Sequence, residues 1–141
     1  LIDNPFKVQN DKMLTWILEE TPKESVFISL KRGVDINLKA RRSLYISQAF
    51  PFNEKYFNEF SRRYISVYST RSNIDGNEGF WSVEKHNRYY HSLSPKYFKN
   101  MSNNYKIDFL VFENKFLNSY FKKISPRYKD DSYSIFNLQD F

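Results

Sequence analysis

His86 and His91 are the two histidines of this 141-residue chain. Five positions apart, they stand about 140° from each other around a helix of 3.6 residues per turn. A helical pair of metal ligands needs a spacing of four, and Glu84 alone does not complete a ligand set. The expectation is therefore a solvated pair on an exposed helix, with no metal. Glu19-Glu20 and Asp130-Asp131 are the adjacent acids. Neighbours on a helix point in different directions, and Asp130-Asp131 falls in a turn, so neither makes a facing acid–base pair. No Gly-x-Ser-x-Gly elbow occurs, and Ser94-Pro95-Lys96 reads as a helix break rather than a nucleophile. With no Cys in the chain, thiolate metal sites, disulfides and cysteine nucleophiles are excluded together. After Leu30 the chain runs Lys31-Arg32-Gly33-Val34-Asp35, with one glycine where a phosphate-cradling loop needs several. This set predicts no cofactor and no catalytic residue.

Basic side chains are the remaining chemistry. Lys and Arg number 22 against 16 Asp and Glu, a formal charge of +6. Lys31-Arg32, Lys39, Arg41-Arg42, Arg62-Arg63 and Lys122-Lys123 are interleaved with Phe and Tyr, as in a single-strand nucleic-acid groove. That reading needs exposed rings, whereas most of the Phe and Tyr recur at helical or strand periods that mark a core. The same clusters also suit anionic lipid headgroups. Trp81, beside a loop, reads as the apolar anchor of a helix start, with sugar stacking as the other reading.

Positioning these residues requires elements, and the chain has material for them. Its aromatic share is 19% and its hydrophobic share 40%, which argues against disorder. At this length one domain, residues 1–141, is expected. No apolar run approaches the roughly 18 residues of a spanning helix; Phe109-Leu110-Val111-Phe112 is typical. No signal peptide opens the chain, and Leu1 stands where a Met would start a gene. The expectation is a domain excised from a longer protein.

Met13, Leu14, Ile17 and Leu18 predict a helix over 11–20, capped by Asn10 or Asp11 and stopped by Thr21-Pro22. Residues 25–30 and 43–47 read as strands flanking a short helix or turn over 33–41. Phe50-Pro51-Phe52 breaks the chain, and Asn53 caps a helix carrying Tyr56, Phe57, Phe60, Tyr64 and Val67 on one face. Residues 69–79 form a loop, and 80–104 a helix in two pieces broken near Ser94-Pro95. A third strand spans 107–112. Residues 115–124 form a helix with Phe116, Leu117, Tyr120, Phe121 and Ile124 on its apolar face. Arg127 to Asp131 turns into a last strand over 132–138, antiparallel at an edge. Strands alternating with helices predict an α/β fold: a three-layer, Rossmann-like domain on a small, mostly parallel sheet of four or five strands.

Several phrases carry a resemblance. The stretch from Leu14 to Phe27, with Trp16 on a helix, then Thr21-Pro22-Lys23, then a strand, is similar to the opening of a soluble domain in polytopic membrane glycosyltransferases of the GT-C kind. Arg41-Arg42-Ser43 leading through a strand to Phe50-Pro51-Phe52 resembles one bacterial branch of these proteins. Ile107-Asp108-Phe109-Leu110-Val111 and the stretch from Tyr128 to Leu138 are similar to its later strand and closing turn. Gln48 departs from the branch, which often has Lys there, and Phe60 stands for an expected Trp. Residues 69–104 match nothing in it.

The resemblance implies a noncatalytic accessory domain on the extracytoplasmic face of a bacterial membrane, in the periplasm or at the cell surface. Its partners would be the membrane-embedded part of the same polypeptide and a glycan or lipid-linked sugar, with an anionic lipid surface nearby. Transfer chemistry would belong to the part outside this chain. Arg42, at the entrance to the second strand, is expected to bond a buried carboxylate or an anionic sugar or phosphate. Lys31, Arg32, Gln48 and Asn114 are the ligand candidates beyond the strand ends, where open α/β sheets bind. The competing reading is a freestanding domain that binds nucleic acid or an anionic surface.

Overall fold

The computed structural model describes residues 10–46, 54–68 and 83–141, with side chains from 56 and 86 onward in the latter two stretches. Gln48, the Phe50-Pro51-Phe52 break, the Asn53 cap, the loop 69–79, Trp81 and the side chain of Glu84 lie outside these residues.

Helix α1 (Lys12–Glu20) starts where Asp11 accepts the Leu14 N–H at 3.1 Å and stops at Thr21, before Pro22. Strand β1 (Val26–Ile28), helix α2 (Gly33–Leu38) and strand β2 (Ser43–Leu44) follow. Helix α3 (Glu54–Tyr68) precedes α4 (Val83–Ser92) and α5 (Pro95–Met101). The break between these last two is made by Ser94, whose hydroxyl accepts the Tyr97 N–H, and by Pro95 in the first turn. Strands β3 (Phe109–Glu113), β4 (Tyr128–Lys129) and β5 (Tyr133–Asn137) complete the chain, with short 3₁₀ turns at Asn114–Phe116, Phe121–Lys123 and Leu138–Asp140.

The five strands form one open sheet in the order β2-β1-β3-β5-β4. β1 lies parallel to β2 and to β3, with Phe27 opposite both Leu44 and Phe109. β5 runs antiparallel to β3, and β4 antiparallel to β5. The fold is thus mixed α/β, parallel in its first half and antiparallel in its second. The closing strand is antiparallel as expected, but β4 takes the edge. The Asp130 carboxylate accepts the N–H groups of Ser132 and Tyr133, each at 2.7 Å, and this tight turn folds residues 128–129 back onto β5.

Every residue of β3 is buried, and its alternation feeds two cores. Phe109 and Val111 pack with Met13, Leu14, Ile17, Phe27, Ile36 and Ile135. Leu110 and Phe112 join Tyr64, Val67, Tyr68, Tyr90, Phe98 and Phe121. A strand covered on both faces needs an unbroken apolar run, which Phe-Leu-Val-Phe supplies. Phe27 stacks on Phe109 at 4.9 Å and Tyr90 on Phe112 at 4.8 Å, so one ring pair lies in each core. Each such ring contributes roughly 1.5–3 kcal/mol through burial.

Residues 115–124 do not form the expected helix. Asn118 competes for the backbone: its Oδ1 accepts the N–H groups of Tyr120 and Phe121, and its Nδ2 donates to the carbonyls of His91 and Leu93. Phe121 is buried, while Phe116 and Tyr120 stay 42% and 60% exposed. Tyr56, placed by periodicity on the apolar face of α3, is also exposed.

Candidate functional site

Two polar clusters occupy opposite ends of the parallel strands. At their start, Arg42 is buried directly before β2. Arg41 takes a positive φ of 54°, reversing the chain after α2. The Arg42 guanidinium then reaches back across the sheet end to the last turn of α1. Its Nε donates to the Thr21 hydroxyl at 3.0 Å, one terminal nitrogen to Ala40 O at 3.0 Å, and the other to the carbonyls of Ile17, Leu18 and Thr21 at 2.9–3.2 Å. These carbonyls lie at the partly negative end of α1, and Ile17 O also accepts the Thr21 N–H and hydroxyl. Burial pulls the arginine's pKa down, with Glu24 opposing at longer range. Among the described residues Arg42 has no carboxylate partner, and its Nε and both terminal nitrogens are bonded to neutral oxygens.

At the other end, β1 and β3 deliver Lys31 and Glu113 to a common crevice, floored by α4. The crevice is lined by Ser29, Lys31, Asn87, His91, Glu113 and Tyr133, among others, and encloses about 10 Å³, room for a single water molecule. Lys31 Nζ lies 2.9 Å from Glu113 Oε1, and Asn87 Nδ2 donates to Oε2 at 2.7 Å. Burial pushes the Glu113 carboxyl up, but the bonds from Lys31 and Asn87 outweigh it and hold the pKa below its usual range. The bond to Glu113 in turn raises the Lys31 pKa.

His91 sits behind this pair. Its Nδ1 faces Asn87 O at 2.8 Å, and its Nε2 accepts the Glu113 backbone N–H at 3.0 Å. That pattern assigns the neutral imidazole with the proton on Nδ1. Burial holds its pKa below the usual histidine value. His86 is buried as well, 2.6 Å from the Tyr64 hydroxyl through Nδ1, and burial lowers its pKa too. The solvated histidine pair expected from spacing is therefore corrected. Both rings are core groups: His91 is hydrogen-bonded at both ring nitrogens, and His86 is bonded at Nδ1 by Tyr64. Among the described residues no group of three metal-ligating side chains occurs.

Of the sequence candidates among the described residues, Lys31 alone lines the crevice. Arg32 is next to it but turned to α1, bonding Asp11 at 2.5 Å and Asp35 at 3.2 Å. Asn114, one residue past β3, is occupied by the Asp130 carbonyl at 2.7 Å and the Ser134 hydroxyl at 2.5 Å. Gln48 lies outside the described residues. The sequence points to neither Glu113 nor Asn87, and it places His91 on a solvated face rather than in this crevice. The signal for Glu113 was a carboxylate closing an apolar strand, one position from Asn114.

Chemically, the crevice is a hydrogen-bonded set with one acceptor unused. His91 has no free ring nitrogen, Glu113 is held ionised, and Ser29 Oγ accepts the Arg32 N–H at 3.3 Å, so no nucleophile sits beside a free base. One atom stands apart: Asn87 Oδ1 is buried with no donor among the described residues. It can accept a hydroxyl or a water. No family model matches the chain, and the searches of curated proteins and of solved structures return no match either.

Proposed function

We propose that this is a noncatalytic accessory domain of a bacterial membrane protein linked to cell-surface glycan or lipid-linked sugar metabolism, held on the extracytoplasmic side. In this reading α1 and α2 cover one face of the sheet and α3, α4 and α5 the other, giving a small Rossmann-like three-layer body. The observation that carries it is where the phrases resembling GT-C-type proteins meet. Arg42 of one phrase bonds Ile17, Leu18 and Thr21 of another. The Asp108 carboxylate accepts the Val26 N–H at 2.8 Å. Trp16 packs against Tyr128 at 5.6 Å and Phe109 at 6.2 Å. Four phrases scattered over the chain thus lock to one another, as parts of a scaffold do, and none of these contacts leaves a reactive group free.

The strand-end crevice is where a glycan hydroxyl would enter in this reading, with Asn87 Oδ1 as its acceptor. Against a freestanding nucleic-acid binder stands the pairing of the basic clusters. Lys31 is tied to Glu113, Arg32 to Asp11 and Asp35, Lys39 to Asp35, and Arg62 and Arg63 to Glu59. The test is the complete open reading frame with reporter fusions to each predicted loop. Several membrane helices upstream of Leu1 and an exported reporter at this domain are expected. A soluble gene that starts close to Leu1 would sink the proposal.

A further inference from the structure

We infer that residues 115–123 form a docking surface for an anionic lipid bilayer. The segment presents Lys115, Phe116, Tyr120, Lys122 and Lys123 to solvent. From Lys115 to Lys129 the chain contains no Asp or Glu. Lys122 and Lys123 have no acidic partner among the described residues, unlike Lys31, Arg32, Lys39, Arg62 and Arg63. Lys115 shares Glu113 with Lys31 only at 4.0 Å, and two thirds of its side chain is exposed.

The exposed rings distinguish this surface from a general basic patch. Phe116 and Tyr120 are exposed because Asn118 holds the backbone in tight turns. The rings therefore project from a fixed framework rather than from a mobile loop. Lysines flanking an amphipathic tyrosine and a phenylalanine match the headgroup layer, where ring bodies enter the acyl boundary and the ammonium groups meet phosphates. The segment begins at the strand-end crevice: the Phe116 ring lies 5.3 Å from His91. Helix α1 begins at that same end of the sheet, where Asp11 bonds Arg32.

This inference stands on exposure and charge, independent of the accessory-domain reading; its test uses the 141-residue chain and no other part of any parent protein. Co-sedimentation with phosphatidylcholine vesicles, with and without phosphatidylglycerol, is measured over a salt series. Binding is expected only with phosphatidylglycerol and should weaken as salt rises. The Lys115→Ala/Lys122→Ala/Lys123→Ala variant should bind at least tenfold more weakly, since each lysine near such a surface is worth up to roughly fivefold in affinity. Tyr120→Ala should weaken binding a further several-fold with unchanged salt dependence. Thermal melts that match the parent chain show that neither variant acts through misfolding. Absence of vesicle binding at low salt overturns the inference. So does equal binding to heparin or RNA that Tyr120→Ala leaves untouched, because that result describes a generic polyanion surface.

Discussion

The two polar clusters at the ends of the parallel strands are built on opposite terms. Around Arg42 a buried cation is surrounded by neutral oxygens, and its Nε and both terminal nitrogens are engaged. Around Glu113 the charge is cancelled by Lys31, one side of the pair is open to solvent, and the neighbouring Asn87 keeps an unused acceptor. A fully satisfied network fixes one geometry, whereas an incomplete one leaves capacity for something else to bind. The contrast assigns architecture to the Arg42 end and adaptability to the Glu113 end.

The strongest way to break this contrast is Arg42→Met. It removes the donors that serve α1's last turn and leaves buried carbonyls unpaired. Charge-assisted bonds of this kind are worth about 1.5–3 kcal/mol each, and their losses are not additive. A destabilisation of roughly 3–5 kcal/mol is expected in urea unfolding, with the midpoint rather than the slope carrying the change. Arg42→Lys should recover little, because one ammonium cannot span the acceptors on both sides. Lys31→Met, which removes a half-exposed partner, should cost no more than about 1 kcal/mol. Equal losses at the two ends would erase the distinction.

Next in size is Glu113→Gln. The amide can still accept from Asn87 but loses the charge that holds Lys31, so a loss of about 1–2 kcal/mol at neutral pH is expected. The sign of the pH effect follows from the lowered carboxyl pKa in the folded chain. Its contribution is full above the unfolded carboxylate pKa near about 4.3 and disappears as pH falls through the folded value. Stability curves of the parent chain and the variant should therefore converge on acidification from about pH 5. Curves that stay parallel would remove Glu113 from the account of acid unfolding.

The uneven legibility of the sequence follows the same physics. Asp11, Thr21-Pro22 and Ser94-Pro95 act on their own neighbourhood, so the ends of α1 and the break before α5 could be read directly. The apolar run of β3 and the alternation of β5 were equally local. What escaped depends on partners far along the chain. His91 is tolerated inside because the N–H of Glu113, 22 positions on, meets its Nε2. Residues 115–124 have a helical hydrophobic period, yet one asparagine redirects the backbone through bonds to α4's end. β4 is two residues long and exists through the Asp130 turn. Arg42 stands out in the sequence as a basic residue at a strand entrance, but its acceptors, the carbonyls at the end of α1, carry no side-chain signature at all.

The smallest expected effect tests the adaptable end most finely. Burial lowers the pKa of His91, so the unfolded chain takes up its proton first as the pH falls. The stabilisation is full above the unfolded histidine pKa of about 6.5 and is lost as pH drops from there toward the folded value. One histidine can contribute a slope of at most about 1.4 kcal/mol per pH unit in this window. The ring resonances of His91 should keep their neutral positions to a pH below that of a free histidine, which an NMR titration reads directly. His91→Gln should flatten the stability slope as the pH falls below about 6.5, whereas Arg42→Met, for all its larger cost, should leave that slope intact, because no group it touches titrates there. If the slope survives His91→Gln, the pH sensitivity belongs to His86, whose Nδ1 meets the Tyr64 hydroxyl and whose buried Nε2 has no partner among the described residues. The adaptable region would then extend from the strand-end crevice to the face between α3 and α4.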